Sequence, residues 1–119
     1  MLKKQNRVGK KTIEQIFKKG LFISGTNLSL KFIHLPGVNT AISFIVPKAV
    51  AKGAVVRNLL RRRGYAVLKK YWDTLPQGLC GVFVFNKKSI ILFAGRKNKN
   101  NNPILNLKNE IKNILSKIN

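Results

Sequence analysis

Residues 54–70, AVVRNLLRRRGYAVLKK, can sort their apolar and charged side chains only as an amphipathic helix, and that helix dictates what the rest of the chain must provide. At about 100° per residue, Arg57, Asn58, Arg61, Arg62, Tyr65 and Lys69 fall within one arc of roughly 140°. Val56, Leu60, Val67 and Tyr71 lie nearly opposite, with Gly64 at their margin. The helix therefore packs by one face and presents the other. Arg63 and Lys70 fall outside both arcs and read as solvated charges. A glycine inside a helix costs on the order of 1 kcal/mol relative to alanine, which is reasonable at Gly64 if the backbone lies close against a sheet.

The flanking sequence offers that sheet. Thr12-Ile13-Glu14-Gln15 has the form of a capping box opening a short first helix, with Ile13, Ile16 and Phe17 as its apolar stripe and Gly20 as its stop. Leu28–Ile33 and Ala41–Val46 read as strands separated by a turn at Pro36-Gly37, and the pattern predicts that they form a hairpin. The long helix spans Gly53–Trp72, Leu75-Pro76-Gln77-Gly78 closes it, and a buried-looking strand follows over Cys80–Phe85. A further short strand is expected over Ser89–Phe93. Asn98–Pro103 reads as an exposed loop, after which Leu107, Ile111, Ile114, Leu115 and Ile118 recur at helical spacing, with Lys108, Lys112 and Lys117 on the wetter side. No internal repeat is present.

With 119 residues and 45% apolar content, the chain can bury one core, so a single domain over residues 1–119 is expected. Met1–Lys11 is basic but leads into no apolar run of the signal-peptide kind. The apolar stretches, such as Ile90–Ala94, are too short to span a bilayer, and a cytoplasmic location is expected. The single cysteine, Cys80, has no partner for an internal disulfide and reads as a buried, inert thiol.

Charge narrows the partner. The chain has 24 Lys plus Arg against three acids, Glu14, Asp73 and Glu110, a formal charge of +21. Most cations have no internal counter-charge, and a dense polyanion relieves the resulting self-repulsion. A merely solvated helix face mixes signs to gain ion pairs, whereas this one sets like charges three and four residues apart. Arginine also holds phosphate through a planar fork, and Asn58 adds a donor and an acceptor beside it. Nucleic acid is the partner these features select.

The same composition excludes several chemistries. A two-metal nuclease needs clustered carboxylates, and acids at positions 14, 73 and 110 are scattered. His34 is the only histidine and reads as a rim residue, so neither a histidine-pair mechanism nor a zinc site can be assembled. Two classes of function follow from the charge itself: a ribosomal or other structural RNA-binding protein, and a cationic coat for DNA or membranes. The membrane version is disfavoured because no basic helix has a broad apolar face that a sheet does not need.

Pro47-Lys48-Ala49-Val50-Ala51-Lys52-Gly53-Ala54-Val55-Val56-Arg57-Asn58, continued by Arg61-Arg62, resembles the signature segment of the bacterial ribonuclease P protein component. The order of parts is similar over nearly the whole chain, from Lys3-Lys4 and Arg7-Val8 through the helix ending at Gly20. The chain departs from the family pattern at Leu59, Tyr65, Ile13, Lys31 and Ala49.

The resemblance implies an α+β fold, a small α/β sandwich with a left-handed βαβ crossover, similar to a ribosomal protein and a translation factor domain. It implies a protein subunit of ribonuclease P that binds the catalytic RNA and the 5′ leader of precursor tRNA. By position, Arg57, Asn58, Arg61, Arg62, Lys48, Lys52 and Lys69 would meet the catalytic RNA. Phe17, Lys31 and Tyr65 would meet the leader, where an aromatic ring can stack on a base; Phe17 reads equally well as an ordinary core aromatic. No protein residue is expected to be catalytic, the chemistry belonging to the RNA and its Mg2+, and no small-molecule substrate or protein-bound cofactor is implied.

Overall fold

Strand β4 (Leu79–Phe85) organises the molecule: its sequence LCGVFVF is apolar on both sides, and every residue except Val84 is buried. Such a strand needs neighbours on both edges and cover on both faces. The computed structural model describes residues 8–86, 93–95 and 102–118. Helix α1 spans Lys10–Lys19, followed by β1 (Leu21–Ser24), β2 (Leu28–His34), β3 (Ala41–Ile45), α2 (Ala54–Tyr71), a 3-10 turn at Trp72–Thr74, β4, and α3 (Pro103–Leu115). The four strands form one sheet in the order β1-β2-β4-β3. β1 and β2 are antiparallel, as are β2 and β4, whereas β3 and β4 are parallel.

Strand alternation assigns the two faces. Leu28, Leu30, Phe32, Ile42, Phe44, Phe83 and Phe85 face α2 and α3, and Leu60, Leu68, Leu107 and Ile111 come down to meet them. Cys80 and Val82 face the other way and are covered by Ile16 of α1 and by Val8. At the centre of the larger core the Phe44 ring stacks on Phe83, with centroids 4.9 Å apart and planes 11° apart, and meets Tyr65 edge-on at 5.0 Å. Gly64 lies directly over Phe44; a Cβ there would stand 2.7 Å from two of its ring carbons. The close helix-to-sheet approach expected from the sequence is therefore real.

The hand of the β3-α2-β4 crossover follows from stereochemistry. Asn86 N–H donates to the Asn27 carbonyl at 3.0 Å and Leu35 N–H to the Gly78 carbonyl at 2.9 Å. With the β2/β4 register, these bonds make Ser29–Val84 and Lys31–Val82 hydrogen-bonded pairs and turn the backbone groups of Phe83 and Phe85 towards β3. For an L-residue whose side chain faces the viewer on an upward strand, N–H and C=O lie to the right. Phe83 faces α2, so β3 stands to the right of β4 when viewed from α2. The chain climbs β3, returns through α2 in front and re-enters on the left. The crossover is left-handed, against the usual right-handed rule.

Several expectations need correction. β2 and β3 do not form a hairpin, because β4 lies between them and pairs with both. Their connection instead arches over the entry to β4, where Gly78 takes a φ of +83°, and Thr40 Oγ1 donates to the Pro76 carbonyl at 2.8 Å. The first helix begins at Lys10 with Gly9 as its cap and no side-chain cap bond, so Thr12-Ile13-Glu14-Gln15 is not a capping box. Strand β1 was not foreseen; it is four residues long, sits at the sheet edge and is mostly exposed, so it carries no alternating pattern. Pro103 is the first residue of α3, not the end of a loop. Most of the strand expected at Ser89–Phe93 and most of the Asn98–Pro103 segment lie outside the described residues. Glu110 of α3 accepts from Asn27 N–H at 2.6 Å and from Asn27 Nδ2 at 3.1 Å, which ties α3 to the β1–β2 turn.

Candidate nucleic-acid interface

The basic segment folds as a turn, Pro47–Ala51, leading into the first turn of α2. Arg57 fastens the two together, its Nη1 donating to the carbonyls of Ala51 at 3.0 Å and Lys52 at 2.7 Å. Lys48 and Lys52 project from this lead-in into solvent. Arg61 is half-buried and donates through Nη2 to Asn58 Oδ1. Asn58, Arg62 and Lys69 are exposed and fall within about 40° of one line along the helix, over a length of about 16 Å. The structure thus brings six of the seven residues assigned to RNA onto one flank with its lead-in, and gives Arg57 a bracing role beside them.

Two residues of α2 are engaged by the rest of the fold where the helical pattern left them facing solvent. Tyr65 is not on the presented arc: it is 4% exposed. Its hydroxyl accepts from Phe44 N–H at 3.2 Å, a group that points off the free edge of β3 because the backbone of Phe83 takes Ser43 and Ile45. It also borders a groove at that edge, lined as well by Val8, Ile13, Ser43 and Ile45.

Arg63 is likewise not a solvated charge. Its Nη1 donates to the carbonyls of Phe93 at 2.6 Å and Gly95 at 2.8 Å, pinning the segment before α3. Hydrogen bonds from a charged donor contribute about 1.5–3 kcal/mol, so Arg63→Ala is expected to cost about 2 kcal/mol in urea unfolding. The salt dependence of RNA binding should stay unchanged; a flattened dependence would show that Arg63 meets phosphate instead.

The opposite face of the sheet carries a trough beside α1. Register sets Ile45, Val84, Ser29 and Ser24 in one row across the four strands, and Ser43, Val82, Lys31 and Phe22 in the next. Helix α1 covers Val82 fully but leaves Ile45, Val84 and Ser29 half-exposed. Phe17, 46% exposed, stands at its wall, and Lys31 Nζ lies 5.1 Å from the centroid of that ring. On the β1 side the trough deepens into a cleft of about 270 Å³ lined by Phe17, Phe22, Ser29, Lys31, Val84 and Asn86. Phe17 is therefore not an ordinary core aromatic. Phe22 was missed by sequence reasoning; the signal available was the apolar pair Leu21-Phe22 directly after the helix-stopping Gly20.

Cys80 lies on this face beneath α1, and burial pushes its thiol up from the ordinary cysteine value. Thiolate is correspondingly scarce. At pH 8 Cys80 is expected to react with a thiol reagent at least tenfold more slowly in the folded protein than in urea; equal rates would contradict its burial. Glu14, Asp73 and Glu110 stand on α1, the 3-10 turn and α3, and no group of three or more His, Cys, Asp or Glu gathers among the described residues. His34 is exposed at the end of β2, edge-on to Phe32. No helix among the described residues is long and apolar enough to cross a membrane.

A family model described as Ribonuclease P matches residues 2–119. The chain belongs to the ribonuclease P protein family. It is 39% identical over 75 residues to the ribonuclease P protein component of Borrelia duttonii, a match covering 61% of this chain and 62% of that protein. It is 35% identical over 81 residues to the ribonuclease P protein component of a Pseudanabaena species, covering 66% of this chain and 70% of that one. The matched stretch thus spans about three fifths of the Borrelia relative. In fold the chain is similar to the RNase P protein from Thermotoga maritima, with a TM-score of 0.80 at 18% identity over 95% of this chain and 97% of that one. The Staphylococcus aureus RNase P protein gives a TM-score of 0.77 at 14% identity, covering 93% of each chain. The α+β sandwich of ribonuclease P proteins is therefore the fold of this chain, and the Lys48–Arg62 segment sits in it at the crossover.

Proposed function

We propose that this chain is the protein subunit of a ribonuclease P and that it binds two RNA segments on opposite faces of its sheet. The flank of α2 and its lead-in, with Lys48, Lys52, Asn58, Arg61, Arg62 and Lys69 braced by Arg57, meet the catalytic RNA. The trough beside α1 receives the single-stranded 5′ leader of precursor tRNA: Phe17 offers a ring for stacking, Lys31 offers charge for phosphate, and Tyr65 walls the β3 end. The observation that carries this reading is the separation itself, a cationic helix flank on one face and an aromatic trough with a lysine on the other. One protein can then hold enzyme RNA and substrate leader at once.

Cleavage of the leader is assigned to the RNA. The three acids of this chain do not gather into a set that fits magnesium among the described residues, so the ion that supports hydrolysis would be held by RNA phosphates. The protein's share is positioning and charge neutralisation, and touching only the segment to be removed favours precursor over mature tRNA. Cytoplasmic residence goes with that role. The test is reconstitution with the cognate catalytic RNA and a precursor tRNA at low magnesium. Added protein is expected to raise 5′ maturation severalfold and to bind precursor more tightly than mature tRNA. Unchanged maturation with equal binding of the two would indicate a structural RNA-binding protein instead.

A further inference from the structure

Phe22 leaves 57% of its surface in water on edge strand β1. It stands directly opposite Lys31 across the β1/β2 pair, on the α1 face, and lines the same cleft as Phe17. The order along the trough is ring, ammonium, ring. Neighbouring strands are about 4.8 Å apart, so Phe22 sits one strand beyond Lys31 and marks the outer end of the trough.

A lone exposed phenylalanine needs no explanation, but two flanking one lysine in a concave site do. A base stacks on an aromatic face whatever its identity, and the ammonium is placed to take the phosphate joining two stacked nucleotides. The chain's +21 charge favours a nucleic acid in this cleft over a second copy of the same protein pairing through β1.

We propose that Phe22 is a second stacking platform for the precursor leader, holding a base adjacent to the one on Phe17 while Lys31 meets the phosphate between them. This rests on the leader-binding reading above. Polarity follows from the fold. The other end of the trough adjoins Tyr65 and α2, the helix assigned to the catalytic RNA, so a leader leaving the cleavage site there reaches Phe17 before Phe22. Phe22 therefore holds the more 5′ base, and leader length decides whether it is used.

The test measures holoenzyme affinity for precursor tRNAs whose leaders are trimmed one nucleotide at a time. Wild type is expected to show two gains as the leader lengthens, the first lost in Phe17→Ala and the second in Phe22→Ala. The second gain should be about five- to tenfold, the lower part of what one stacked base contributes. Phe22→Trp should retain it, and mature tRNA should bind all variants alike. The proposal is overturned if Phe22→Ala keeps the second gain, if it weakens mature and precursor tRNA equally, or if it alters only self-association of the free protein. A wild-type holoenzyme showing no gain with leader length would overturn the leader reading as well. A gain that survives in Phe22→Ala removes Phe22 alone.

Discussion

Phe44→Ala is expected to lower folding stability by about 3–5 kcal/mol, the range for deleting a buried aromatic ring. The ring is 3% exposed. It is stacked on Phe83 and edge-on to Tyr65, with Phe85 5.8 Å away between centroids. Three neighbouring rings would lose their contact surface at once, and Gly64, having no side chain, cannot fill the space. Natural domains are stable by only about 5–15 kcal/mol, so urea unfolding or calorimetry should show a large shift; a loss below about 1 kcal/mol would contradict this packing. Gly64→Ala provides the complement. In the wild-type background its methyl group meets the Phe44 ring at 2.7 Å, and overpacking of about 1–3 kcal/mol outweighs the roughly 1 kcal/mol of helix propensity gained. In the Phe44→Ala background the obstruction is gone and the same substitution should stabilise. The change of sign is a coupling that independent sites cannot produce.

What could be read in advance depended on whether the deciding interaction was local. α2, α3, β4 and the stop at Gly20 carry their own periodicity and breakers, so they stand where the pattern placed them. Pairing is different. Nothing within Leu28–His34 or Ala41–Ile45 specifies that Leu79–Phe85 will enter between them, and the turn at Pro36-Gly37 suits a loop arching over that strand as well as a hairpin. Helical arithmetic gave each α2 residue a correct angle but not the breadth of its cover. The helix is enclosed by the sheet on one side and α3 on another, so its buried arc widens from Leu60 and Val67 through Gly64 and Leu68 to Tyr65. Arg63 escaped for a related reason: its carbonyl partners lie 30 and 32 residues away. The cationic flank was legible because net charge needs no tertiary partner to be visible. The trough was only half legible, since Phe22 acquires meaning when β1 sets it opposite Lys31.

Replacing Lys48, Lys52, Arg62 and Lys69 together with alanine should weaken binding of the catalytic RNA by about 10²–10³-fold at 0.15 M salt and reduce the log–log salt slope by roughly three units, at 0.7–0.9 per phosphate contact. All four side chains are exposed, so solvent-facing charge is removed without opening the core. Removing four like charges from a chain of formal charge +21 relieves self-repulsion, and the melting temperature should hold or rise while binding falls. These opposite directions separate a lost contact from a damaged fold. Arg57→Ala should behave differently: one guanidinium nitrogen is already given to the carbonyls of Ala51 and Lys52. Its removal frees the lead-in that carries Lys48 and Lys52, weakening binding with a slope change of about one unit at most. If the fourfold variant keeps the wild-type slope, phosphate does not lie along this flank, and the catalytic RNA must be sought on another surface.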